Sequence, residues 1–223
     1  MLEELNALFE SDTIKPTFEQ VHIILALFLF EQNPEGLGRY KLKEELLIGS
    51  GTARSLINKL REKINFLKIP DQSTRSGHVL TPKGERFVNK IKDIIPLLLE
   101  GDIELLNKVV IESKNQKAFF CLIKNVGNKI TNGVSQRDAS IKMDGSGATC
   151  LVFNGENFIF PSQSLSEGDK DTLKVSDDIQ TYLIKCAETN DLVLETNDVI
   201  IIGLAINSKR ARIATLNSAL TLI

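Results

Sequence analysis

The sequence predicts an α+β protein in two parts, and three observations support this. Apolar residues recur at helical spacing through the first hundred residues, interrupted by two short strand-like runs. From residue 117 onward, strand-like and helix-like segments alternate. Charge divides along the same line. Residues 39–92 hold thirteen Lys and Arg against five acidic side chains, a local net charge of +8. The whole chain is −2, so the other 169 residues carry −10. A basic segment inside an acidic chain is the footprint expected of a polyanion partner.

Composition bounds the rest. The chain has 223 residues, 42% hydrophobic and 25% charged, which suits one large or two ordinary domains with a real core. Three cysteines cannot staple a chain of this size. The longest apolar run, Val21–Phe30, is too short to span a bilayer and contains His22. The start, MLEELNALFESD, is acidic where a secretory leader is basic, so a cytoplasmic protein with no membrane partner is expected.

Residues 1–99 read as a winged helix-turn-helix domain. Thr17 with Gln20 predicts a capped start for a helix over Phe18–Gln32, and His22 falls on its apolar surface as a core histidine. Pro34, Gly36 and Gly38 break that helix. Leu42–Ile48 predicts a second helix with Leu42, Leu46 and Leu47 inward. Gly49–Gly51 is a tight turn, and Ser50 a candidate cap for a third helix to about Lys63. On that helix Ala53, Leu56, Ile57, Leu60 and Ile64 share one arc. Its opposite side carries Thr52, Arg54, Ser55, Asn58, Lys59 and Glu62, most of them donors suited to phosphates and base edges. Phe66–Ile69 and His78–Leu80 predict a strand pair around a polar loop bearing Arg75, the wing. Thr81-Pro82 opens a fourth helix, with Phe87, Ile91, Ile94 and Leu98 as its buried stripe.

These residues resemble a known family. The phrases GRYKLKEELLIGSGTARSLINKLREK and SGHVLTPKGERF, within roughly residues 15–95, are similar to winged-helix transcriptional regulators of archaeal type. The resemblance implies double-stranded DNA in the major groove, bound by a homodimer. Within that reading Thr52, Arg54, Ser55 and Asn58 face base edges, and Lys59, Arg61 and Arg75 hold phosphates. Arg39 and Lys41 lie beside the DNA backbone. Glu62 opposes phosphate from the same face.

Residues 100–116 form a connector in which Asp102–Leu106 reads as helix and Val109–Ile111 as strand. Residues 117–223 read as an α/β sandwich of ferredoxin-like order, βαββαβ, with an extra C-terminal helix and helices on one face. Strands are expected at Ala118–Lys124, Ala148–Phe153, Asn157–Phe160 and Val199–Ile206, the middle two joined at Asn154-Gly155. Helices are expected at Ser135–Met143, buried through Ala139 and Met143, and at Thr172–Ala187. A final one follows Asn207-Ser208, with Ile213, Leu216, Leu220 and Ile223 docked. The phrases SQRDASIKMDGSGATCLVFNGENFIFP and DVIIIGLAINSKRARIATLNSALTLI resemble the domain behind winged helices in a family of uncharacterised archaeal proteins. That likeness implies an archaeal source and no particular chemistry.

Catalytic patterns are sparse. Both histidines, His22 and His78, lie in the first part, so no histidine serves a nucleophile in the second. Cys121, Cys150 and Cys186 match no zinc spacing, and Asp144–Gly147 lacks the Lys-Ser/Thr of a phosphate loop. No cofactor, metal or enzymatic activity is therefore expected. Two places suit a small anionic ligand: Arg137, Asp138 and Lys142 with Gly145 and Gly147, and the start of the last helix with Lys209, Arg210 and Arg212. The leading expectation is a regulator whose C-terminal domain dimerises it, senses a small ligand, or both. The alternatives are an enzyme with an appended winged helix, nucleotide or flavin related, and a winged-helix protein-interaction module.

Overall fold

The structure, a computed structural model, describes residues 2–10, 16–70, 77–110, 115–161 and 174–223. The chain is mixed α+β and divides into two units, Met1–Ile91 and Lys92–Ile223.

The first unit begins with a 3-10 helix, Leu2–Leu8, that buries Leu5 and Leu8. Helix α1 spans Gln20–Glu31 and buries Val21 and every residue from Ile23 to Phe30, so it is the unit's apolar centre and not a surface helix. Its start differs from expectation. Glu19 is the capping residue, and its backbone N–H donates to His22 Nδ1 at 2.9 Å. His22 is thus a capping acceptor, and burial pushes its pKa down. Helix α2 spans Arg39–Leu46 and ends where Leu47 turns left-handed (φ 54°), leaving Leu47 44% exposed and not inward. Helix α3 spans Ser50–Glu62 with Gly49, not Ser50, as its cap. The expected stripe Ala53, Leu56, Ile57, Leu60 and Ile64 is buried throughout.

Strands β1 (Leu67–Lys68) and β2 (Val79–Leu80) pair antiparallel, and Leu37 exchanges two backbone hydrogen bonds with His78. Helix α4 spans Pro82–Lys92, with Thr81 Oγ1 accepting from Gly84 N. Helix, helix, helix, hairpin, helix is the order of a winged helix. The loop bearing Arg75, expected as the wing, lies outside the described residues.

The fourth helix does not continue to Leu98. Leu97–Gly101 is strand β3, paired with β4 (Lys117–Ile123), and it belongs to the second unit. Pro96 cannot supply a helical N–H, and three consecutive leucines suit a half-covered edge strand. Helix α5 (Ile103–Leu106) is capped by Asp102, whose side chain accepts from Glu104 N and Leu105 N. Then follow α6 (Val134–Lys142), β5 (Gly147–Phe153), β6 (Phe158–Ile159), α7 (Asp177–Thr189), β7 (Val199–Ala205) and α8 (Ser208–Leu220).

The chain order βαββαβ is as expected, but the sheet is not arranged as a ferredoxin-like one. Five antiparallel strands lie in the order β3-β4-β7-β5-β6. Strand β7 sits between β4 and β5, and β5 between β6 and β7, so both crossovers are split as in a ferredoxin-like sheet, but there β4 would lie between β7 and β6. The helices cover both faces. On one, Ile200, Ile202 and Leu204 of β7 pack with Val175 and with Ile179 and Leu183 of α7. On the other, Gly203 lies under α8 so closely that a Cβ there would meet Thr215 Oγ1 at 2.3 Å. A strand covered on both faces explains why β7 is apolar at every position. Helix α6 reverses its expected face. Gln136 and Ser140 are its buried residues, and it packs on α8 through hydrogen bonds such as Ser218 Oγ to Gln136 O at 2.7 Å.

Two polar side chains hold loops in place. Asp198 is fully buried and accepts from Lys124 Nζ (2.6 Å), Asn125 N (3.0 Å) and Glu195 N (2.8 Å). The Gln180 carboxamide accepts from Phe158 N and donates to Phe158 O, both at 2.7 Å, and so substitutes for a strand partner beside β6.

Candidate nucleic-acid interface

Helix α3 has three flanks. Its inner stripe fills the core of the first unit. One outer flank carries Thr52 and Lys59, seven residues apart and so in line. Both are engaged within the chain. Thr52 Oγ1 lies 2.7 Å from Thr17 Oγ1, and Lys59 Nζ donates to Leu8 O (2.7 Å) and Glu10 O (2.8 Å). The Lys59 ammonium therefore closes the end of the Leu2–Leu8 helix, where carbonyls lack helical partners. The expectation that Lys59 holds phosphate gives way to this structural task.

The other flank is open. Arg54 and Ser55 are exposed, and Asn58 and Arg61 are half-buried. Arg61 donates to Glu62 Oε1 at 2.6 Å, an exposed neighbour pair that fixes little. A notch of about 240 Å³ runs beside this flank, lined by Gly38, Arg39, Arg54, Asn58, His78 and others. It brings together two of the residues expected at base edges with one expected at the backbone. Arg39 also donates to Tyr40 Oη (2.9 Å) and lies 4.8 Å from that ring's centre. Lys41 pairs with Glu45 one turn on, at 3.4 Å. His78 lines the notch with Nε2 buried and without a hydrogen-bond partner. Burial first, and the Arg61 cation second, push its pKa down, so the ring is neutral at pH 7. No sequence signal pointed to His78 as a wall of this notch, because its neighbours come from three separate segments.

The two candidate ligand places in the second unit are largely self-satisfied. Arg137 donates to Asp138 Oδ1 at 3.0 Å. Arg210 pairs with Asp144, and Ser208 Oγ donates to Glu100 Oε1 at 2.6 Å. The start of α8 is therefore met by the chain's own carboxylates, the charge its dipole favours. Lys142, Lys209 and Arg212 also have partners. Gly145 is a packing glycine and not a ligand cradle, since a Cβ there would fall 2.3 Å from Ser140 Oγ and 2.7 Å from Ala214 Cβ. Cys121 and Cys150 are free and buried. Burial raises both thiol pKa values, that of Cys150 to about 12, which suppresses thiolate chemistry. Among the described residues no His, Cys, Asp and Glu group has the geometry of a metal site. None of the described helices is long and apolar enough to cross a membrane.

The structure thus defines an α+β protein with a helical, hairpin-bearing unit ahead of a five-stranded antiparallel one. Residues 114–222 match a family described as a domain of unknown function, DUF4443. A solved structure described as hypothetical protein PH0730 from Pyrococcus horikoshii OT3 is similar over 92% of this chain and 93% of that chain. Its TM-score is 0.62 and its sequence identity 20%, a likeness of fold alone. No curated protein matches the chain.

Proposed function

We propose that this chain is a DNA-binding transcriptional regulator and not an enzyme. Its first unit would contact duplex DNA through α3, and its second would dimerise it, sense a small ligand, or both. One observation carries the reading: α3 buries a complete apolar stripe while Arg54, Ser55, Asn58 and Arg61 stay reachable along one flank. The +8 segment supplies the sequence-independent attraction. Arg54 and Asn58 are the side chains for base edges, and Arg39 and Arg61 those for phosphates. A two-fold dimer would set two α3 helices about one DNA turn apart.

The test is selection of bound duplexes from a random pool by the full chain, followed by affinity measurements at increasing salt. A palindromic consensus with affinity falling steeply in salt is expected. Weak binding that never saturates would reject the reading and favour a protein partner for the same flank.

A further inference from the structure

Strand β5 is seven residues long and β6 only two. The β6 strand covers Val152 and Phe153, so Gly147 to Leu151 pair with β7 on one side and with no described strand on the other. Two cavities lie along this flank among the described residues. One, of about 230 Å³, has Val110, Ile202 and Leu204 as its apolar lining. The other, of about 320 Å³, runs past Val109, Phe160 and Pro161 to the start of α6. Arg137, Ala148 and Thr149 border both.

We propose that this flank binds a small monocarboxylate with a compact apolar body. Its carboxylate would rest on Arg137 and its apolar part against Val110, Ile202 and Leu204. Ile202 and Leu204 belong to the buried core of this unit and form the floor of the cavity, and the partly exposed Val110 and Ala148 supply apolar surface that a ligand would remove from water. Arg137 is 54% exposed, and its pair with Asp138 is a surface pair of small net value. The guanidinium can therefore turn to an incoming carboxylate, whose two oxygens match its paired donors. Gly147 is glycine for its backbone conformation and not for room beside the arginine. Its φ of +139° disfavours a side chain, and a Cβ there would lie 3.8 Å from Arg137 Cγ.

The same lining selects the class of ligand. Neither cavity has an Asp or Glu among its described lining residues, so an ammonium beside Arg137 would lack a counter-charge there. A free acid is favoured over an amino acid. Inorganic phosphate, doubly charged and strongly hydrated, gains nothing from an apolar wall. At about 30 Å³ per water-sized group, the smaller cavity holds roughly eight non-hydrogen atoms, the size of a branched aliphatic or single-ring acid.

The inference gives the sensing half of the proposed function a ligand class, and it rests on that half alone. The experiment is amide NMR of the full chain titrated separately with 4-methylpentanoate, benzoate, leucine and inorganic phosphate. At least one of the two acids should shift the Ala148, Thr149 and Cys150 amides saturably and more tightly than leucine or phosphate. Arg137→Ala should weaken that acid at least about tenfold, the loss of one charge-assisted contact, with amides remote from β5 unmoved. The proposal fails if neither acid saturates, if the shifts map elsewhere, if leucine or phosphate binds more tightly, or if Arg137→Ala binds equally well. DNA is absent from this experiment, so its result is independent of whether α3 contacts DNA.

Discussion

The two units treat their cations differently. In the second, Lys124 is held by buried Asp198, Lys108 by Asp178, and Arg210 by Asp144. In the first, Arg54 is exposed on a flank that faces a notch with a second arginine and a neutral histidine. Lysines and arginines are common in both, but within residues 39–92 thirteen of them meet only five carboxylates, while the rest of the chain is acidic. Where acids are plentiful, a cation is absorbed into the fold. Where they are scarce, it stays available to a partner outside the chain. Lys59 is the instructive exception, because backbone carbonyls absorb it.

The largest test removes an absorbing acid. Asp198→Ala leaves Lys124, only 23% exposed, without its buried partner and frees two backbone donors. It should cost the second unit about 3–5 kcal/mol. Hydrogen exchange should show β5 and β7 amides losing protection while α1 amides keep theirs. Equal loss in both units would mean that they unfold together and would blur the comparison.

A paired substitution on α3 comes next. Lys59→Ala should lower the stability of the first unit by about 1–3 kcal/mol, since two carbonyls lose their donor. Arg54→Ala should leave stability within about 0.5 kcal/mol but weaken a selected DNA site by about 1–3 kcal/mol. Melting curves and binding titrations of the two variants separate absorbed from available cations. The reverse pattern would place the DNA-facing flank on the wrong side of α3.

Packing supplies a comparable effect confined to the sheet. Gly203→Ala would press a Cβ into Thr215 Oγ1 and should cost the second unit about 1–3 kcal/mol by overpacking. Thermal unfolding would read it, and Thr215→Ala in the same chain should recover part of the loss.

The smallest expected effect is with pH. Both histidines lie in the first unit, and burial lowers both pKa values. Near their unfolded values of about 6.5 the unfolded chain then binds more protons than the folded one. Stability is full above that pH and is lost as pH falls toward the folded pKa values. Between about pH 7 and pH 5 the first unit should therefore weaken more than the second. Asp178 titrates far lower, near 2, because Lys108 and Ser176 hydrogen-bond its carboxylate. His22→Gln, which keeps an acceptor for Glu19 N, should flatten the first unit's slope in denaturation followed across pH. An unchanged slope would assign the dependence to His78.

Much of the fold was legible because its signals are local. Helix α3 follows from five apolar residues on one arc, and α4 from a capping threonine before proline. The β5–β6 turn follows from Asn154-Gly155, where Asn154 Oδ1 accepts from Glu156 N and Asn157 N. The misread segments are those whose conformation depends on a distant partner. Leu97–Leu99 continues a helical stripe on paper, yet β4 recruits it as a strand. Helix α6 shows Ala139 and Met143 to the eye, yet α8 takes its polar side. Of the residues expected to face DNA, Arg54, Ser55, Asn58 and Arg61 share the open flank. Thr52 and Lys59 do not, because nothing in the helix itself announces partners 35 to 51 residues earlier.

The sequence by itself determined the kinds of element, most of their places and the basic footprint, since periodicity, capping and turn chemistry act over a few residues. Tertiary structure alone decided the strand order, the covering of both sheet faces, the engagement of Lys59 and the cavities beside β5. Each of those depends on which remote surfaces meet. That choice is made by the packing of the whole unit, and no short window of residues encodes it.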